Sequence, residues 1–393
     1  MVEKKSNNYG IVAAVILFVA LIIGNYFQYQ LSPLAPRLME TMGLTPGQFS
    51  SAFSAPMIPS IFLGIVAGVL ADKFGVKNVA AVGLAVTAIG LCVRPFTYDY
   101  LTLFVSMILG GVGVSFLNAN MSKIVGGWFP PEKVGPIVGL TMVGSTIGMT
   151  LGSATTALLP SVKVAFWISG IGSVVVLIIW VLFMKDGTLN QEAAVPQESV
   201  MDSVRVVLKS KNIWLVGFCL MCIMGCNVAL ASFLPTALQS RGISESTAGV
   251  LSSVITIGSL IGTFIGPTIV AKAGRMKPLL MVLGVMTSVG AAFGWSLPIP
   301  GAIALLALAG FGMGTLIPVF MSFPVMLPEI GPVYAGSAGG VITTLELLGA
   351  VVLPTYVITP VAASNFLLYF MITGALMLVM AAIVILLPEL NKK

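Results

Sequence analysis

Apolar runs of about the length that crosses a bilayer recur along the whole chain, separated by short polar turns. Crossing the hydrocarbon core takes roughly 20 apolar residues per helix. Twelve runs meet that length: 11–34, 51–71, 78–95, 101–121, 136–158, 164–184, 213–235, 247–270, 278–297, 301–325, 335–358 and 364–387. The longest polar stretch, 185–212, lies between the sixth and the seventh. Within it, residues 199–210 carry Val200, Val204, Val207 and Leu208 on one side, which fits a helix on the membrane surface or a partly ordered tether. The pattern predicts an all-α membrane protein: a six-helix bundle over 1–184, a cytoplasmic linker over 185–212, and a second six-helix bundle over 213–393. The opening MVEKKSNNYG is a polar cap before a full-length span, not the short apolar core and cleavage site of a signal peptide, so the first helix is expected to be retained.

The two bundles are copies of one unit. At a constant offset of 199 residues Pro36 matches Pro235, Gly43 matches Gly242, Lys73 matches Lys272 and Gly75 matches Gly274. Gly111 and Gly113 match Gly310 and Gly312 at the same offset, and after a small deletion Gly135–Pro136 matches Gly331–Pro332. Duplicated membrane units are a common build for carriers, with the solute site at the interface of the copies. Basic residues set the orientation. With the N-terminus cytoplasmic, 15 of the 19 lysines and arginines lie inside and Arg37, Arg94, Lys163 and Arg241 lie outside, so both termini are expected in the cytoplasm of a cell (inner) membrane protein. Trp128 and Trp214 then fall at the inner interface, Trp167 and Trp295 at the outer one.

Composition sharpens this. Charged residues are 8% of the chain against about 25% in soluble domains. Mean hydropathy is +1.07. The net charge of +6 sits in loops between spans, which argues against nucleic acid as a partner. There is no histidine, so the commonest metal ligand and near-neutral acid–base group is missing. Cys219, Cys222 and Cys226 share one helix face and read as small packing residues. No metal, cofactor or enzymatic chemistry is expected.

Residues 68–77 read GVLADKFGVK. Gly68, Asp72, Lys73, Gly75 and Lys77, between the second and third spans, resemble the loop signature of the major facilitator superfamily. The resemblance covers essentially the whole chain and implies twelve helices, transport of a small-molecule solute, and function as a monomer. It also implies a role for these five residues as a conformational latch that holds the halves together on the cytoplasmic side. Asp72 would then face the positive dipole end of the eleventh helix, which begins near Ala335. Gly68 would let a neighbouring helix approach, and Lys73 and Lys77 would pin the loop to the inner surface. In the second copy Ala271 replaces the acid, so any latch there is weaker. The segment WFPPEKVGPIVGL (128–140) resembles bacterial organic-solute porters of the superfamily. Departures count against three subfamilies. Met107 stands where many proton-coupled relatives carry arginine; Gly144, Gly148 and Gly152 form a packing face where drug antiporters carry a Gly-Pro pair; and the second and eighth helices hold no arginine of the nitrate-porter kind.

Glu346 is the one acid deep in a span, about twelve residues into the eleventh helix, with Gly336, Gly340, Thr343 and Gly349 along one stripe. A buried acid at that depth costs roughly 3 kcal/mol and is a functional candidate by default. It is read as a proton carrier or a counter-charge for a cation, with a hydrogen bond between helices as the structural alternative. Arg94, near the outer end of the third helix, is expected to snorkel to the surface, with anion binding as the other use. The helices that line the cavity in the superfamily offer Asn25, Tyr26, Gln28, Tyr29, Asn118, Asn120, Asn227, Thr315 and Met321 as substrate-binding candidates. Hydrogen bonding between helices is the structural alternative for each. Pro56, Pro59 and Pro318 are expected to loosen their helices.

These readings converge on a secondary active transporter working by alternating access and coupled to protons through Glu346. It would carry a neutral or cationic solute, or a weak acid with its proton. An organic-anion (monocarboxylate-like) uniporter, symporter or exchanger is the alternative, and a non-transporting solute sensor a distant one.

Overall fold

The computed structural model describes residues 2–187, 200–362 and 365–390, in two compact units, Met1–Val195 and Pro196–Lys393. Helices make up nearly all of it, and no strand occurs among the described residues. In the first unit α1 (Val2–Tyr29), α2 (Leu31–Met42), α3 (Pro46–Ser54) and α4 (Ile58–Phe74) precede α5 (Val76–Val93), α6 (Tyr100–Gly126), α7 (Pro131–Thr155) and α8 (Val162–Phe183). In the second, the short α9 (Val200–Lys209) precedes α10 (Lys211–Ser240), α11 (Glu245–Lys272), α12 (Met276–Phe293) and α13 (Ile299–Met326), followed by α14 (Gly331–Val352), α15 (Thr359–Ala362) and α16 (Phe366–Leu386).

Eleven stretches among the described residues are long and apolar enough to span a membrane on their own. The twelfth crossing is composite: α3, a 3-10 turn at Ala55–Met57, and α4, which alone has 17 residues. Pro56 accounts for the change of helix type, since it offers no N–H and its ring crowds the preceding turn. Pro318, by contrast, is passed by α13 without interruption. Past Val352, Leu353–Ile358 widens into a π-turn that contains Pro354, and the Thr359 hydroxyl donates to the Pro354 carbonyl at 2.6 Å. Polar caps fix where the spans begin. The Thr45 hydroxyl accepts from Gln48 N–H before α3, Asp99 from Thr102 N–H before α6, Ser161 from Val164 N–H before α8, and Ser244 from Thr247 N–H before α11.

The duplication is visible as repeated geometry within each unit. Gly43 (φ 64°) and Gly242 (φ 83°) both turn the chain through the left-handed region. The same backbone bond closes each turn, Leu44 N–H to Met39 O and Ile243 N–H to Leu238 O. Gly111 of α6 lies against the Pro56 carbonyl, and Gly310 of α13 against the Ile255 carbonyl, 55 residues earlier in both cases. The Gly144, Gly148 and Gly152 face of α7 rests on the backbone of α1 at Phe18, Ile22 and Tyr26, a constant separation of 126 residues. In the second unit Gly217, Met221 and Gly225 of α10 meet Leu345 and Gly349 of α14 and Leu353 of the π-turn, a constant separation of 128. Such close contacts replace a hydrophobic drive that lipid cannot supply between helices.

The core of the first unit is built from Leu17 and Leu21 of α1, Leu84 of α5, Leu117 of α6 and Trp180 of α8, all buried. Large aliphatics such as Ile89, Val93, Leu101 and Leu182 face outward, as lipid-facing positions do. The helix expected over 199–210 is present as α9. It packs against α14 and α10, with Val207 buried and Leu208 exposed, so the last two residues of the expected apolar side part company. The side chains of Val200 and Val204 lie outside the described residues.

Candidate functional site

In the first unit the polar residues of α1 cluster where the helix is interrupted. Pro33 has no N–H to offer the Tyr29 carbonyl, and the chain breaks at Gln30 between α1 and α2. Arg94 fills this joint. It was expected to snorkel; instead its side chain is 0% exposed. Its guanidinium donates to the Phe27 carbonyl (2.9 Å), to Gln30 Oε1 (2.6 Å) and to Ser169 Oγ (2.7 Å), and it contacts Met107 Sδ at 3.5 Å. The Phe166 ring lies 4.1 Å from the guanidinium carbon. The Gln30 amide in turn donates to Ala165 O at 2.9 Å. The reason for the difference is that Arg94 sits in a 3-10 turn, Arg94–Phe96, that aims the side chain inward, where the helix break leaves acceptors. The guanidinium joins α1, α6 and α8 and is sealed from solute.

The other first-unit candidates divide in two. Asn25 donates to the Leu21 carbonyl of its own helix (2.9 Å), and Gln28 donates to the Phe53 carbonyl (2.9 Å). Tyr29 is buried edge-on against Phe53, and Asn120 is fully buried, donating to Ala67 O (3.2 Å) and Phe116 O (3.0 Å). These four act between or within helices. Tyr26 is half-buried and Asn118 exposed, so both keep surface for a ligand. An exposed amide in mid-span calls for water or solute beside it, since lipid cannot satisfy it.

The loop of the signature is held from an unexpected quarter. Gly75 (φ 81°) closes α4 by donating to Ala71 O and opens α5. Lys77 N–H donates to Asp186 Oδ1 at 2.8 Å, and Trp180 Nε1–H donates to the Lys77 carbonyl at 3.0 Å. Lys73 stands over the Phe74 ring at 5.2 Å. Lys123 Nζ donates to the Gly68 carbonyl at 3.1 Å, while nothing lies within 4 Å of where a Gly68 side chain would begin. The Asp72 side chain lies outside the described residues, as do those of Ala335 and Gly336. The second unit repeats the arrangement with Glu389, whose carboxylate accepts from Met276 N–H (2.8 Å) and Lys277 N–H (3.1 Å). Asp186 and Glu389 both follow the last helix of their unit and cap the third. The sequence signal was an acid at matching places after α8 and α16, legible only once the helix ends were known.

In the second unit Glu346 is the central feature. It is 7% exposed, in the middle of α14, and among the described residues no donor pairs with its carboxyl group. The expected stripe is split: Gly349 is wedged against Met221 of α10, whereas Gly340 faces open space and Thr343 is exposed. Glu346 lies between these two faces. Asn227 is half-buried with its amide toward Met313 Sδ at 3.6 Å, and Met321 is half-buried. Thr315 is taken up in packing, its hydroxyl donating to Phe311 O (2.8 Å) beneath Gly266 of α11. Cys219, Cys222 and Cys226 are buried free thiols. Among the described residues no group of His, Cys, Asp or Glu is placed to hold a metal.

At the basic end of the same unit Glu329 anchors the start of α10. Asn212 Nδ2–H donates to it at 2.8 Å and the Ser210 hydroxyl at 3.2 Å. Partial burial works against its charge, but these hydrogen bonds outweigh it and hold the carboxyl below the usual range.

The sequence profile of the Major Facilitator Superfamily matches residues 13–354. Among individual relatives, the hexuronate transporter of Bacillus subtilis (strain 168) is 24% identical over 317 residues, covering 75% of this chain and 75% of its own. The cyanate transport protein CynX of Escherichia coli (strain K12) is 25% identical over 294 residues, 73% of this chain and 74% of its own. The probable sulfoacetate transporter SauU of Cupriavidus necator is 24% identical over 376 residues, 88% of this chain and 86% of its own. Among solved structures, the nucleoside transporter NupG superposes with a TM-score of 0.79 at 14% identity, covering 95% of this chain and 99% of its own.

Proposed function

The chain belongs to the Major Facilitator Superfamily, and from that premise we propose that it is a secondary active transporter that carries a small organic acid together with a proton, by alternating access. Its two units are the halves 1–184 and 213–393, joined through 185–212, with both termini cytoplasmic in the cell membrane, and it works as a monomer. The observation that carries the proton step is Glu346: an acid in mid-span, nine-tenths buried, with no donor to hold it among the described residues. A carboxyl group that is not locked in a structural hydrogen bond can take up and release a proton as its surroundings alternate between the two aqueous sides.

Hexuronate, cyanate and sulfoacetate, which name the relatives, are all small anions. That shifts the weight from a cation to an acid moving with its proton. Arg94 is withdrawn from the ligand set because it is fully buried and both terminal nitrogens of its guanidinium donate within the fold. Recognition falls to Tyr26, Asn118, Asn227 and Met321, with Glu346 supplying the proton. Gly68, Asp72, Lys73, Gly75 and Lys77 form the latch, and Asp186 holds their loop in place.

Uptake into proteoliposomes tests this, with glucuronate, cyanate and sulfoacetate as probes under an imposed acid-outside gradient. Accumulation above equilibrium is expected in the wild type. Glu346→Gln is expected to lose accumulation while keeping solute exchange at matched pH. Unchanged pH-driven accumulation in that variant would sink the proton role. The relatives' names also support a second reading, an anion exchanger or uniporter without a proton. It would show as transport that no pH gradient drives in the wild type.

A further inference from the structure

A groove in the second unit lies apart from every residue assigned to solute or proton. It runs between α12 and α16 at the turn that joins α11 to α12, with a volume of ≈ 1240 Å³. Clefts that hold small ligands occupy about 300–1,000 Å³. Its wall is aliphatic, with Met281, Val282 and Val285 from α12 and Ile385 from α16, and its rim is basic, with Arg275 and Lys277. We propose that this groove binds an anionic phospholipid, its acyl chain along the wall and its phosphate between Arg275 and Lys277.

Charge complementarity commits the site to this occupant. Glu389 is at the rim, but its two oxygens accept from Met276 N–H and Lys277 N–H and face the positive end of α12. Lys277 Nζ donates one hydrogen bond to the Ile385 carbonyl at 2.7 Å and keeps its other N–H groups for a ligand. Arg275 is exposed and pairs with nothing among the described residues. Basic pockets between helices at the headgroup level suit anionic lipid heads. A soluble anion has no use for the exposed valines beneath the rim; an acyl chain does.

The first unit carries one cation just after its turn glycine, Lys77, whose N–H meets Asp186 as that of Lys277 meets Glu389. Arg275 is the cation that the second copy adds.

The test titrates the full-length, delipidated protein in detergent with phosphatidylglycerol, with phosphatidylcholine of the same chains, and with inorganic phosphate. Bound lipid is read by native mass spectrometry and the thermal midpoint in parallel. Phosphatidylglycerol is expected to bind saturably and raise the midpoint, with phosphatidylcholine weaker and phosphate without effect. At roughly 1 kcal/mol per basic residue, Arg275→Gln should weaken phosphatidylglycerol about fivefold, and Arg275→Gln with Lys277→Gln about thirtyfold. Val282→Trp changes no charge and leaves a residue that is 62% exposed free to point into the groove, so it should also weaken the lipid. Because Lys277 also braces Ile385, the single Arg275 variant keeps the test sound if the double variant does not fold. Equal binding of the two lipids, wild-type binding by Arg275→Gln and Val282→Trp, or a phosphate effect equal to that of the lipid would each overturn the proposal. None of these outcomes bears on the proton role of Glu346.

Discussion

Replacing Arg94 by leucine asks whether a buried cation with no carboxylate partner stabilises this fold or merely burdens it. The guanidinium makes three hydrogen bonds, to Phe27 O, Gln30 Oε1 and Ser169 Oγ, at 2.6–2.9 Å. Taking the lower end for bonds from a charged donor, about 1.5 kcal/mol each, their loss costs about 5 kcal/mol. Loss of the stack on Phe166 adds about 1 kcal/mol. Against this, removing a charge from the apolar interior returns about 3 kcal/mol on insertion scales. The net is a destabilisation of about 3 kcal/mol, most of it from acceptors left dry at the break between α1 and α2. Leucine fills much of the space, so a cavity is not the cause. The assay is the thermal midpoint in detergent micelles, with size-exclusion chromatography to confirm a monodisperse protein. For a unit of this size about 2–4 °C per kcal/mol applies, so the midpoint should fall by about 10 °C. Arg94→Lys should recover little, because an ammonium cannot reach three acceptors set for a planar fork. A midpoint equal to or above the wild type would refute the reasoning and mean that desolvation of the charge outweighs its bonds. A variant of normal stability that has lost only solute affinity would return Arg94 to the ligand set.

Three further outcomes follow from the geometry. Gly148→Leu sets a side chain against the Ile22 carbonyl, so α7 must part from α1, and monodisperse protein should be lost in fluorescence-detected chromatography; normal yield would mean that the α1–α7 contact is dispensable. Gly75→Ala combines a φ of 81° with a methyl placed 2.9 Å from Asp186 Oδ2, and should lower both the thermal midpoint and transport, whereas Ala in place of Gly68, where nothing lies within 4 Å, should leave the midpoint unchanged. Glu329 has a folded-state pKa below its unfolded value of about 4.3, so its contribution is complete above that value and is lost as pH falls through the folded one. The wild-type midpoint should therefore drop in acid below about pH 4 by more than that of Glu329→Gln, and parallel pH profiles would remove the carboxylate from the account.

The apolar run lengths alone placed all twelve crossings, because a bilayer requires each span to satisfy its own backbone over a fixed thickness. The repeat was equally legible: a constant offset of 199 residues survives in the left-handed turns at Gly43 and Gly242 and in the carbonyl contacts of Gly111 and Gly310. The depth of Glu346 needed only its position within a span. What distance along the chain hides is partnership. Arg94 meets Phe27 and Ser169 across 67 and 75 residues, and Asp186 and Glu389 accept from first-turn N–H groups 109 and 113 residues earlier. Local pattern says that a charge near a span end should reach for water, but only the packed unit shows that a break in α1 has left acceptors for it inside. For the same reason the polar residues of the lining helices looked alike in sequence, and tertiary contacts alone separated Gln28, Asn120 and Thr315, which hold helices together, from Tyr26, Asn118 and Asn227, which keep surface to spare.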